Sequence, residues 1–167
     1  MREPPAPAPV EAFPLVTTVG LLMEAHAGLS GALERRLVDS GQVAGQSFEI
    51  LLRLVRTPDH RLRMRDLAAQ TTLTASGLTR AVDRLVHDGY VAREPCADDR
   101  RVSYAVLTAD GEAAIRRALP VHIEHLREVF DGFDARDLDH LERLMRRLRD
   151  SLNPDAAAAS HRPAHVA

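Results

Sequence analysis

Across residues 74–108 the apolar residues change their period from helical to extended, and Gly89 stands at the changeover. Before it, Leu78, Val82, Leu85 and Val86 recur at the three- and four-residue intervals of one helix face. Thr74 stands where a hydroxyl can accept from a free backbone N–H and so start that helix; Gly89 supplies its left-handed stop. After it, Tyr90, Val91 and Arg93 lead into Pro95, and Val102, Tyr104, Val106 and Leu107 return as a β-branched and aromatic strand. A shorter helical stretch precedes the first helix, with Leu67 and Ala68 inward, Thr71 and Thr72 breaking it, and Leu73 filling the turn. Thr108 is placed to cap the next long helix, with Asp110 in its first turn favoured by the helix dipole.

Helix, turn, helix and hairpin in this order make a winged helix-turn-helix. The expected fold class is mainly α with a small β-hairpin wing. Residues 44–108 carry the winged unit, and residues 15–40 and 109–152 form long flanking helices. The first flank is amphipathic through Leu15, Val19, Leu22, Leu29, Leu33 and Leu37, and Gly41 ends it. A helix over residues 44–56 turns Phe48, Leu51, Leu52 and Val55 inward and stops at Thr57-Pro58. The last two stretches align Ile115, Leu119, Ile123, Leu126 and Phe130 over residues 114–133, then Leu138, Leu141, Met145, Leu148 and Leu152 over 138–152. Pro120 is expected to kink the first of these. Together these faces exceed what one small domain needs; they can bury each other within the chain or across two copies. Residues 1–14, rich in Pro and Ala, read as a loose arm, and 153–167 as a frayed tail.

The helix after Thr74 presents Ala75, Ser76, Thr79 and Arg80 outward at its N-terminal end, small or hydroxylated side chains followed by a long fork of donors. Such a face can enter a DNA major groove, with Ser and Thr on phosphates or base edges and Arg bidentate on guanine. A solvated amphipathic helix is the alternative from this segment alone. The hairpin tip, Asp98-Asp99-Arg100-Arg101, adds a second observation. An arginine there can reach the minor groove, where negative potential offsets its desolvation, while Asp98 or Asp99 holds the other guanidinium. The net charge of -2 argues for no bulk affinity for nucleic acid. Positive charge nevertheless gathers at the centre of the chain, where residues 61–101 hold eight arginines against six acids.

These residues carry a family resemblance. "LTASGLTRAVDRLVHDGYVARE" and "DDRRVSYAVLTADGEA" resemble the recognition helix and wing of the MarR family of bacterial transcription regulators, and the order of elements agrees over residues 15–152. The resemblance implies a homodimer held by its N- and C-terminal helices, so residues 15–40 and 109–152 become dimerisation helices. It also implies a pseudo-palindromic double-stranded operator read by two helices ~34–36 Å apart. Carried over position by position, Arg80 reads a base, Ser76 and Thr79 make backbone and base contacts, and Arg100 enters the minor groove. Arg101 is the braced partner of Asp83 or Asp99. The full DNA-facing set is Thr74, Ser76, Gly77, Thr79, Arg80, Arg84, Arg100 and Arg101, with Asp83, Asp98 and Asp99 bracing the wing.

The family further implies a repressor released by a small amphipathic effector, phenolic or antibiotic-like, bound between the dimer helices and the winged unit. Leu22, His26, Phe48, Leu52 and His122 are its candidate walls, with core packing as the competing role for each. No cofactor or metal is expected, because the His122/His125 pair lacks a Cys or carboxylate set at zinc spacing. Cys96 is the only cysteine, so a reducing cytoplasm is the expected compartment, and a thiol response through it is an alternative sensing mode. A winged module serving protein contacts alone is another alternative. The sequence carries no Gly-rich phosphate loop, zinc-hydrolase helix or nucleophile elbow, and no enzyme activity is expected. MREPPAPAPVEAFP has no apolar h-region, and no membrane partner is expected.

Overall fold

The computed structural model describes residues 13–71, 73–96 and 102–152. Most of the leading arm, the tail and the hairpin tip with Asp98, Asp99, Arg100 and Arg101 lie outside the described residues. The elements run α1 (Pro14–Asp39), α2 (Gly45–Val55), β1 (Arg61–Arg63), α3 (Met64–Gln70), α4 (Ala75–His87), β2 (Val91–Pro95), β3 (Ser103–Leu107), α5 (Ala109–Val129) and α6 (Ala135–Leu152). α1 begins at Pro14, inside the expected arm, because a proline at the first helical position loses no intrahelical bond.

The wing holds three strands where the sequence pattern indicates two. They are ordered β1-β3-β2 and all antiparallel, with Leu62 opposite Ala105 and Arg93 opposite Ala105 on the other side. Leu62, Val91, Ala105 and Leu107 turn inward from this sheet onto α2, α3, α4 and α5. There Ile50, Leu51, Leu54, Leu67, Leu78, Val82, Leu85 and Ile115 are fully buried. The core therefore sits under the winged unit. Val86, expected on the inner face, lies at its margin and is 37% exposed.

α4 is fixed at both ends as its sequence requires. Thr74 Oγ1 accepts from the Gly77 N–H at 3.1 Å. At the other end Tyr90 N–H donates to Leu85 O and Gly89 N–H to Val86 O, the paired bonds of a Schellman stop, with Gly89 at φ 80°. α5 continues through Pro120 as one helix and closes at Phe130, so Phe133 falls in the turn beyond it. α6 starts three residues earlier than its apolar stripe, because Asp134 Oδ1 accepts from the N–H groups of Arg136 and Asp137 while Asp137 Oδ2 accepts from Asp134 N–H.

The N-terminal part of α1 and the apolar face of α6 are left uncovered within the chain. Leu15, Val16, Val19, Leu21 and Met23 of α1 and Leu138, Leu141, Leu144, Met145 and Leu152 of α6 are exposed, and α6 buries no residue within the chain. Only the C-terminal part of α1 is anchored, through buried Leu37 and an Arg36–Glu128 pair at 3.0 Å to α5. No helix among the described residues is long and apolar enough to cross a membrane.

Candidate nucleic-acid interface

The capped N-terminus of α4 sets its outer face. Ser76, Thr79 and Arg80 are all exposed on it. Thr79 Oγ1 donates to Ala75 O at 3.0 Å, satisfied by its own helix until another acceptor replaces that carbonyl. Ser76 and Thr74 hydroxyls lie 3.3 Å apart. Arg80 makes no hydrogen bond or ion pair among the described residues, so its five donors face solvent. The positive end of the helix dipole and its unpaired N–H groups favour an anion at the same place.

Three neighbours on α4 have structural duties beside their place on this face. Gly77 donates to the Thr74 cap, and a side chain there would press on Thr74 Oγ1 at 3.1 Å. Arg84 turns toward α2 and donates to Gln46 Oε1 at 3.0 Å. Asp83 pairs with Arg93 of β2 at 2.9 Å, and the same Arg93 nitrogen reaches the Thr79 carbonyl at 3.5 Å. Arg93 thus fastens the first wing strand to the middle of α4. In the sequence reading Arg93 is only a strand residue; its role depends on Gly89 folding the strand back along the helix, which no local pattern specifies.

The root of the wing is a small knot of backbone and hydroxyl bonds. Thr108 N–H donates to Tyr90 O at 3.1 Å, Thr108 Oγ1 donates to Gly89 O at 2.7 Å, and the same oxygen accepts from Gly111 N–H at 3.0 Å. One threonine joins the end of α4, the end of β3 and the start of α5. Cys96, partly exposed, lies where β2 leaves the sheet, its N–H bonded to Val102 O at 2.9 Å.

Of the candidate effector walls, the structure brings Phe48 and His122 together, their rings 4.6 Å apart at 43°. Leu52 packs at the edge of the core, Leu22 is half-buried on α1, and His26 is exposed. His122 Nδ1 and His125 Nε2 are buried without a hydrogen-bond partner among the described residues. The other His125 nitrogen lies 3.2 Å from Glu128, which also takes Arg36. Burial, and then His125, hold the His122 imidazole below its ordinary range, so folding favours the neutral ring. The unfolded chain binds that proton more readily. Stability is therefore fully present above about pH 6.5 and is lost as pH falls toward the lowered folded value. Thermal melts between about pH 8 and pH 5 should show this fall, with a shallower slope in His122→Phe; an unchanged slope in the variant would assign it to other groups.

A capped helix with an open polar end, fastened to a three-stranded wing, defines a winged helix-turn-helix DNA-binding protein. The MarR family profile matches residues 42–102. AbsC, a MarR family transcriptional regulator from Streptomyces coelicolor, shares the fold at TM-score 0.73 and 31% identity, over 81% of this chain and 92% of that one. Sco3205, a MarR family regulator from the same organism solved in complex with DNA, is 31% identical at TM-score 0.76, over 92% of this chain and 94% of that one. The HTH-type transcriptional repressor YetL of Bacillus subtilis (strain 168) is 29% identical over 106 residues, and the match spans 64% of either chain. The chain belongs to the MarR family of transcriptional regulators.

Proposed function

We propose that the protein is a homodimeric repressor, acting in the cytoplasm on a pseudo-palindromic operator and released by a small amphipathic effector. The observation that carries the reading is the open N-terminal face of α4, with Ser76, Thr79 and Arg80 exposed on a helix whose orientation to the wing Arg93 fixes. The relatives support it: Sco3205 was solved in complex with DNA, and YetL is named a repressor. Two copies are favoured because the N-terminal half of α1 and the apolar face of α6 find no cover within one chain, and burying such residues is worth about 25 cal/mol per Å². A two-fold dimer would present two α4 helices to successive turns of DNA, which demands a matching symmetry in the site. Phe48 and His122 meet in a tilted ring contact between α2 and α5 that would give an effector aromatic neighbours, and His122 and His125 hold two buried nitrogens without a partner among the described residues. An effector weakens DNA binding only by preferring a dimer shape that DNA does not select.

Selection of genomic fragments by the purified protein at near-physiological salt, followed by sequencing, tests the reading. The expected result is an enriched pseudo-palindrome beside a promoter, with a dimer mass by light scattering. Enrichment of nothing above background would turn the reading toward a winged module for protein contacts, and a monomer would remove the operator symmetry.

A further inference from the structure

The face of the wing sheet turned away from the helices carries a second cationic feature. Leu62 and Ala105 point into the core, so their neighbours Arg61, Arg63 and Tyr104 point outward. Arg63 stands opposite Tyr104 in the β1–β3 register, and Glu94 stands opposite it on the β2 side. The guanidinium of Arg61 lies 4.1 Å from the Tyr104 ring centre and 4.0 Å from the Glu94 carboxylate, so its charge is already balanced. Arg63 differs. Its Nε donates to the Tyr104 hydroxyl at 3.1 Å, which aims the group, while its two terminal nitrogens have no hydrogen-bond or ion-pair partner among the described residues.

A fork held at one nitrogen and open at the other two has the shape that recognises a phosphate. Its position fits as well. Tyr104 is three residue steps from Arg101 in the sequence, and covalent geometry limits that span to ~10 Å. The minor groove is about 7.5 Å deep, so with the tip in it the tip-side end of the sheet, where Arg63 and Tyr104 pair, comes level with the phosphates on the rim. With α4 in the major groove as proposed above, the helix-facing side of the wing would turn toward the adjoining strand and the opposite side, bearing Arg63, toward the other.

We propose that Arg63, aimed by Tyr104, is a phosphate-binding residue that extends the DNA interface past the minor groove onto the distal strand. This rests on the operator-binding reading above. The contact carries no base information; it fixes the register of the wing and adds salt-dependent affinity.

The test measures operator affinity across a salt series for the full chain, Arg63→Gln, Arg61→Gln and Tyr104→Phe. Releasing one phosphate lowers the slope of log K against log salt by about 0.9, so Arg63→Gln should lose that amount and bind several-fold more weakly on cognate and unrelated DNA alike. Arg61→Gln should stay nearer the parent. Tyr104→Phe, which keeps the ring and deletes only the acceptor, should lose part of what Arg63→Gln loses. Ethylation of one distal-strand phosphate should hinder the parent protein and leave Arg63→Gln indifferent. A parent-like slope and ethylation pattern in Arg63→Gln would overturn the contact while leaving the operator reading intact. If the unaltered protein selects no operator, both fall together.

Discussion

Gly111→Ala should destabilise the protein by roughly 3 kcal/mol, at the upper end of what overpacking costs. Helix propensity alone gives the opposite sign, because alanine is favoured over glycine in a helix interior by about 1 kcal/mol. The site decides otherwise. A Cβ on Gly111 would lie 2.1 Å from the Tyr90 carbonyl oxygen and 2.9 Å from Leu107 Cδ1. That carbonyl cannot withdraw freely, since it accepts from Thr108 N–H, and Thr108 in turn bonds Gly89 and Gly111. Relief must come from moving backbone at the wing root. Against a total stability of roughly 5–15 kcal/mol this is a large fraction, and a domain of this size should melt about 6–12 °C lower. Gly132→Ala is the control, because a Cβ there would meet nothing within 4 Å. It should stay within about 0.5 kcal/mol of the parent in a denaturant titration. Parent-like stability in Gly111→Ala would mean the root yields more easily than its bonds indicate.

Arg80→Ala should cost about 1–3 kcal/mol on the cognate operator, a loss of roughly 5- to 150-fold in affinity. Arg80 is exposed and makes no hydrogen bond or ion pair among the described residues, so folding stability should change by less than about 0.5 kcal/mol. The loss should be confined to sites with the preferred base pair, and selection with the variant should return an operator relaxed at one position in each half. A uniform loss on every sequence, with a shallower salt slope, would assign Arg80 to phosphate instead. Arg84→Ala makes an informative comparison. Its guanidinium is engaged by Gln46, so its removal should disturb the seat of α4 on α2 and show in stability as well as in affinity.

Features that depend on near neighbours in the chain were legible in the sequence. The Thr74 and Thr108 caps, the Gly89 stop and the inward Leu78, Val82 and Leu85 follow from spacings of three or four residues, and the structure realises each. The pairing partners of the charged side chains were not. Asp83 with Arg93, Arg84 with Gln46 and Arg63 with Tyr104 join elements brought together only by the tertiary fold. β1 was missed for the same reason. Arg61–Arg63 is too short to show a period of its own and is a strand because β3 pairs with it. The apolar stripe of α1 was plain in the sequence, yet the pattern alone could not say that its N-terminal half goes uncovered within the chain.

The knot around Thr108 ties the end of α4, the sheet and the start of α5 together. His122, whose ring lies 4.6 Å from that of Phe48 of α2, stands on the same α5, further along. The residues of the Phe48–His122 contact and those of the exposed α4 face do not overlap, so under the proposed function substitutions at the first would alter the response to a ligand and those at the second the choice of operator.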